Sequence, residues 1–189
     1  MLPPLALVLG GAASGKSRWS EGLIRASSAR RLYLATAEAY DDEMRAKIAS
    51  HRAMRAADGW TTVEAPLDLA PALAAAAPDQ AILLDCATLW LSNHMLADHD
   101  LQATEDTLIT ALAACAAPVI VVSNEVGLSV VPDNALARKF QRAQGNLNQR
   151  LASQAALVIH MIAGLPLVMK GALPGATSAP ASTAGGTRT

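Results

Sequence analysis

The 189-residue chain has few aromatic residues (3%), only two cysteines, 16% charged residues and a formal net charge of -1. Each shortage excludes something. With 15 Lys and Arg against 16 Asp and Glu there is no bulk basic field, so a dedicated nucleic-acid binder is not expected. Cys86 and Cys115 form no C-x-x-C pair and suggest no metal site; they read as small buried apolar residues of a reducing compartment. No apolar run reaches the roughly 18 residues of a membrane span, because Pro118, His160 and Pro166 interrupt the longest ones. The first residues, Met1 to Ala13, lack the positive start of a secretory signal. A cytoplasmic protein without membrane contact is expected.

What the chain does have is apolar residues, 52% of the total. Hydrophobicity this high with so little net charge argues for a folded chain. Short apolar runs recur along it: Leu5–Leu9, Leu32–Thr36, a weak Thr61–Glu64, Ala81–Asp85, Val119–Ser123 and Leu157–Ile162. Runs without polar alternation suit strands buried on both faces. Helical patterns lie between them at 16–27, 41–56, 67–77, 87–97, 102–116 and 134–155. This alternation predicts an α/β protein, a mostly parallel sheet with helices on both faces. Residues 1–170 are expected to form one catalytic domain. From Gly171 to Thr189 the composition shifts to Ala, Pro, Gly, Ser and Thr, which suits a disordered tail.

The strongest motif is Gly10-Gly11-Ala12-Ala13-Ser14-Gly15-Lys16-Ser17, which fits G-x-x-x-x-G-K-[ST]. Glycines let the backbone curl until successive N–H groups face phosphate oxygens. The helix that follows adds its unpaired N-terminal donors and the positive end of its dipole. Lys16 would reach the β- and γ-phosphates, and the Ser17 hydroxyl would ligate Mg2+. Such a loop also needs a carboxylate at the tip of a neighbouring strand. Asp85, ending an apolar run, is the candidate. Glu125, after the run 119–123, is a further candidate for contact with substrate or water, since ligands of such sheets bind at the carboxyl ends of the strands. No N-K-x-D tetrad is present, which excludes a switch GTPase. A kinase or nucleotidyl transferase of a small molecule remains.

Residues 41–55 narrow the choice. Asp41, Asp42 and Glu43 open a helix whose dipole they complement. Lys47, His51 and Arg55 follow at four-residue spacing and share one face. A histidine between two cations stays neutral near pH 7 and could attack a nucleotide α-phosphate, with Lys47, Arg52 or Arg55 holding the phosphates. A solvated basic face carrying an incidental histidine is the alternative. His94, His99 and His160 share no ligand spacing, and Trp19, Trp60 and Trp90 suit packing.

Taken together, these stretches resemble the bifunctional adenosylcobinamide kinase / adenosylcobinamide-phosphate guanylyltransferase family. The likeness covers residues 5 to about 170. It rests on Leu9–Ser17, Tyr33-Leu-Ala-Thr36, Asp42-Glu-Met44, His51-Arg52 with Arg55, and Trp60-x-x-Val-Glu64-Ala-Pro66. It continues through Leu83-Leu-Asp85-Cys-x-Thr-Leu-Trp-Leu-Ser-Asn93, Val122-x-Asn124-Glu125-Val-Gly127, Val131-Pro132, Arg138, Asn146-x-x-Asn148-Gln-Arg150 and Gly164-Leu-Pro-Leu167. The resemblance implies a three-layer, RecA-like P-loop fold and a homotrimer. It implies two reactions: ATP or GTP phosphorylates adenosylcobinamide, then GMP passes from GTP through a guanylylated histidine to give adenosylcobinamide-GDP. It assigns His51 as the nucleophile. It assigns nucleotide contact to Gly10–Ser17, to Ala35, Thr36 and Ala37, to Arg52, Ala53, Met54 and Arg55, to Glu64 and to Asp85. One departure is Ala13, where the family often has arginine. A P-loop kinase of another small alcohol, without a covalent histidine, is the alternative activity; a nucleotide-binding subunit without catalysis is a further one.

Overall fold

The structure is a computed structural model. It describes residues 1–28, 30–38 and 42–175, excluding the side chains of 43–45, 47, 48 and 51. The seven strands are β1 (Leu5–Gly10), β2 (Arg30–Ala35), β3 (Trp60–Glu64), β4 (Gln80–Asp85), β5 (Val119–Asn124), β6 (Leu157–Ile162) and β7 (Leu165–Lys170). The helices are α1 (Lys16–Ser27), α2 (Asp42–Ala57), α3 (Ala70–Ala74), α4 (Ala87–Leu96), α5 (Leu101–Ala114) and α6 (Ala135–Gln154). The sheet order is β3-β2-β4-β5-β1-β6-β7. All neighbouring pairs are parallel except β6 with β7. The expected mostly parallel α/β sheet is present.

Side-chain alternation along each strand divides the core into two layers. Leu5, Leu7, Ile82, Leu84, Val119 and Val121 pack against residues of α4, α5 and α6, among them Trp90, Leu108, Leu112, Leu147 and Leu151. Ala6, Val8, Tyr33, Leu83, Ile120 and Val122 form the other layer with Ile24 of α1. Arg55 of α2 lies over the Tyr33 ring, so α2 covers that same face. Because both faces are covered, the central strands read as unbroken apolar runs.

Three features differ from the sequence expectations. The first is β7, which the sequence reading passed over. It follows β6 through the turn Ala163-Gly164, whose φ values are 51 and 79. Both central residues of this two-residue hairpin turn have positive φ, which matches the twist of the paired strands. The strand is an edge strand and mostly exposed, so Pro166 is tolerated there. The second is α3, limited to Ala70–Ala74 rather than 67–77, with Pro71 in its first turn. The third concerns order: β5 separates β4 from β1, so Asp85 is not on the strand next to the phosphate loop. The part of the expected tail at 176–189 lies outside the described residues.

One ion-pair cluster ties α5 to α6. Arg150 donates to Glu105 Oε2 at 3.0 Å and also pairs with Asp106. Glu105 is only 4% exposed, and its burial raises its carboxyl pKa above the ordinary range in spite of Arg150. The folded chain therefore holds the Glu105 proton more tightly than the unfolded chain, and this group's contribution to stability falls as pH rises through that range. Replacing Arg150 with Leu strands the buried carboxylate and is expected to cost about 3 kcal/mol at neutral pH. Urea unfolding at several pH values checks this: the deficit should shrink as acid protonates Glu105.

Candidate active site

β1 ends at Gly10, where no other residue fits. A Cβ there would lie 2.5 Å from the Met161 carbonyl oxygen and 2.7 Å from Ser14 Oγ, and φ is 153. The loop then passes through Ala13 at φ 55 and Gly15 at φ 91, two left-handed positions. The Ser14 carbonyl accepts from the Gly164 N–H at 3.1 Å, so the β6–β7 turn braces the loop from outside. Gly15 is the N-cap of α1 and supplies no side-chain cap, and the first turn has no acidic residue. By contrast, Asp100 caps α5 and Asn134 caps α6 through their side chains. The α1 terminus thus keeps donors for an anion.

Lys16 is 7% exposed, and its ammonium donates to the Gly11 carbonyl at 2.5 Å and to Ser14 Oγ at 3.4 Å. Burial lowers its pKa, while Cys86 and Asp85 act in the opposite sense. The cation is bent back over the curl of the loop, where a phosphate oxygen would replace the Gly11 carbonyl. Ser17 stands beside it in the first turn, half-buried, and its hydroxyl makes no hydrogen bond among the described residues.

Glu64, Ala35 and Asp85 end β3, β2 and β4, and the register sets them in one row. Asp85 continues the alternation of Ala81 and Leu83, so it lies on the α1 side of the sheet. With β5 intervening, β4 is about 10 Å from β1 at ordinary strand spacing. The carboxylate accepts from the Tyr33 hydroxyl at 2.6 Å. Burial, then the adjacent Asp85, push ionisation of this phenol far above its ordinary value, so it remains a donor.

Thr36 follows Ala35 just past that row and is fully buried. Its hydroxyl donates to the Cys86 carbonyl and accepts from the Cys86 N–H, both at 2.8 Å. Its N–H donates to the Asp85 carbonyl at 3.2 Å, and its own carbonyl accepts from Asn93 at 2.8 Å. Every polar group of Thr36 therefore holds the turn after Asp85. Ala37 is half-buried beside it. Cys86 is buried and its thiol pKa is raised by that burial, which makes it inert at neutral pH.

Arg52 and Arg55 project from α2 towards this row. Arg52 pairs with Glu64 at 3.4 Å. The Arg55 guanidinium lies 3.8 Å above the Tyr33 ring, and its Nε is buried without an acceptor among the described residues. Ala53 and Met54 are exposed. The backbone of His51 lies on α2 one turn before Arg55; its side chain, like that of Lys47, is outside the described residues, as is Asp41. Glu125 donates its N–H to the Gly10 carbonyl at 3.0 Å and accepts from the Gly127 N–H at 2.7 Å, so it closes a turn beside the loop.

Two features had no counterpart in the chemistry read from the sequence. Asn124 at the tip of β5 is gripped through its backbone: its N–H donates to Thr88 Oγ1 at 2.7 Å and its carbonyl accepts from Asn148 at 3.1 Å. Beneath it, Ser123 donates to Asn148 Oδ1 at 2.7 Å and accepts from Gln144 at 2.9 Å in a buried polar cluster. In the sequence, Thr88, Asn124 and Asn148 each stood in a stretch of the family likeness, but no role had been read for them. The second is the pair His94 and His99, whose Nδ1 atoms lie 2.8 Å apart, with His94 Nε2 3.1 Å from the Leu67 carbonyl. Trp60 and Trp90 are buried packing residues, as expected.

The family model described as cobinamide kinase / cobinamide phosphate guanyltransferase matches residues 6–169. The chain belongs to this family. It is 44% identical over 168 residues to the bifunctional adenosylcobalamin biosynthesis protein CobP of Pseudomonas aeruginosa, covering 87% of this chain and 96% of that one. It is 40% identical over 182 residues to the bifunctional adenosylcobalamin biosynthesis protein CobU of Salmonella typhimurium, covering 88% and 99%. Among solved structures, an ATPase from a bacterial type III secretion system superposes with a TM-score of 0.52 at 11% identity, over 82% of this chain and 50% of that one. That likeness speaks for the fold alone, a P-loop ATPase sheet of RecA-like kind. No helix among the described residues is long and apolar enough to cross a membrane.

As a cobinamide kinase / cobinamide phosphate guanyltransferase family member, the chain shows its phosphate loop with a cation buried at a cost. The cost predicts a trade-off. Lys16→Met should leave the melting temperature of the free protein unchanged or higher. It should weaken triphosphate binding by about 10- to 100-fold through loss of a charge-assisted hydrogen bond. Thermal melts alongside nucleotide calorimetry check both halves.

Proposed function

We propose that this chain carries out both activities of its family at one phosphate loop, the second of them through a covalent His51–GMP. In the first reaction the aminopropanol hydroxyl of adenosylcobinamide attacks the γ-phosphorus of ATP or GTP. The bond to the β,γ-bridging oxygen breaks, the nucleoside diphosphate leaves and the hydroxyl proton is released. In the second, a His51 ring nitrogen attacks the α-phosphorus of GTP. A P–N bond forms, the bond to the α,β-bridging oxygen breaks and pyrophosphate departs. A phosphate oxygen of adenosylcobinamide phosphate then attacks the same phosphorus. The P–N bond breaks, adenosylcobinamide-GDP forms and His51 is restored.

The observation that carries this reading is the row Glu64–Ala35–Asp85, with Arg52 and Arg55 reaching it from the helix of His51. A nucleotide held at Gly10–Ser17 would extend along the same edge of the sheet. Lys16 and the α1 donors would neutralise the β- and γ-phosphates, and the two arginines the charge that develops on pyrophosphate. Ala35, Thr36, Ala37, Ala53 and Met54 would shape the nucleotide's bed by backbone and packing.

The donor set suits Mg2+. The Ser17 hydroxyl and the free oxygen of Asp85 are hard oxygen ligands, and no group of three or more His, Cys, Asp or Glu that could form a closed metal cage occurs among the described residues. Few protein oxygens, completed by phosphates and water, is the habit of Mg2+. Held by Ser17 and Asp85, the ion would supply Lewis-acid withdrawal of charge from the reacting phosphorus.

The cytoplasm is the proposed location, residues 1–170 are the proposed catalytic domain, and a homotrimer is the proposed assembly. Leu165, Leu167 and Met169 stand exposed along one side of β7, an apolar edge that a further copy would cover.

GTP labelled at the α-phosphate tests the covalent step. The protein should acquire an acid-labile, alkali-stable label, and His51→Ala should abolish it while retaining transfer of γ-label to the corrinoid. Label persisting on His51→Ala would move the nucleophile elsewhere.

A further inference from the structure

We propose that Tyr33 is a positioning residue for both reactions: its hydroxyl fixes the Asp85 carboxylate and its ring seats Arg55 of the His51-bearing helix. This rests on the function proposed above and goes beyond it, because that function gives Tyr33 no role.

The geometry is specific. Tyr33 lies within β2, directly beside Leu83 of β4 in the register. It is buried in the α1-side core layer. Trp60 meets its ring edge-on at 5.9 Å and 80°, which fixes the plane of the ring. The hydroxyl is therefore delivered to Asp85 Oδ2, which leaves Oδ1 as the carboxylate oxygen that Tyr33 does not engage. The ring face carries the Arg55 guanidinium at 3.8 Å. Arg55 has no carboxylate within ion-pair distance among the described residues, so the ring is the feature that holds its plane. One side chain thus sets the direction of a metal-ligand oxygen and the stance of a phosphate-binding cation.

The two roles separate chemically. Phosphorylation draws on Asp85 and, from α2, on no more than the nucleotide's bed; guanylylation also calls on the α2 cations to meet the departing pyrophosphate. Tyr33→Phe removes only the hydroxyl and preserves the ring, the Trp60 contact and the Arg55 stack. Tyr33→Leu removes both functions. Arg55→Lys retains the charge of Arg55 but loses the flat contact.

The test uses the full-length protein. Mn2+ affinity is measured by electron paramagnetic resonance with a non-hydrolysable GTP analogue at saturation. The two partial reactions are followed from γ-labelled and α-labelled GTP across a Mg2+ titration. Tyr33→Phe is expected to weaken Mn2+ binding about tenfold or more, as loss of a partner behind a metal ligand does. Both reactions should then need more Mg2+ in the same proportion and recover at high Mg2+. Tyr33→Leu should in addition lower guanylylation about tenfold relative to phosphorylation at saturating Mg2+, a split that stacking of this strength supports. Arg55→Lys should reproduce that split with Mn2+ affinity within about twofold of wild type, and it decides the second role if Tyr33→Leu does not fold. Unchanged Mn2+ affinity in Tyr33→Phe overturns the first role. An equal fall of both reactions in Tyr33→Leu and Arg55→Lys overturns the second. Wild-type protein that takes no α-label would sink the covalent mechanism instead, and the Mn2+ titration would still decide the Tyr33–Asp85 link.

Discussion

Parallel strand pairing is the constraint from which the site follows. β1 is hydrogen-bonded to β5 on one side and β6 on the other, and β4 and β2 extend the same direction. Each strand must leave the core at the same edge, and each return crosses over a face as a helix or longer segment. The residues that end these strands are therefore gathered along one edge: Gly10, Asn124, Asp85, Ala35 and Glu64. Helices α1 and α4 start from that edge, so their N-terminal donors meet it too. A cleft lined by strand ends and helix N-termini along this edge is a consequence of the topology before any side chain is chosen.

What the side chains add is opposition held in balance. Lys16 is buried against a carbonyl rather than a carboxylate, so its charge is under-compensated. Arg52 is engaged by Glu64 at a surface pair that is weak in water. The Arg55 Nε has no acceptor among the described residues. All three cations are left with capacity for an anion, while Thr36, Cys86 and Asn93 spend theirs on one another to hold the turn after Asp85.

Much of this was legible in the sequence because the two faces of the sheet are both covered. Covered strands must be apolar throughout, so β1, β2, β4, β5 and β6 announced themselves as runs, and the Gly10–Ser17 motif fixed which end mattered. β7 was hidden because it is an exposed edge, interrupted by Pro166, and its partner is antiparallel rather than reached by a crossover. α3 came out shorter because an alanine stretch carries few anchoring side chains and Leu73 alone is buried in it. The lateral order of strands leaves no local trace, so the displacement of Asp85 by β5 could not be read from spacing. Nor could the Tyr33–Asp85 contact, which joins residues 52 apart.

The brace between Gly164 and Ser14 has a consequence for the chain as it is made. The loop's residues are made before β5 and β6, so β1 has no neighbour in the sheet until those strands exist, and the loop's outer support waits for the hairpin turn. A growing polypeptide carries an unfinished cradle until that turn emerges. The curl of the loop is completed only when these later strands close over β1.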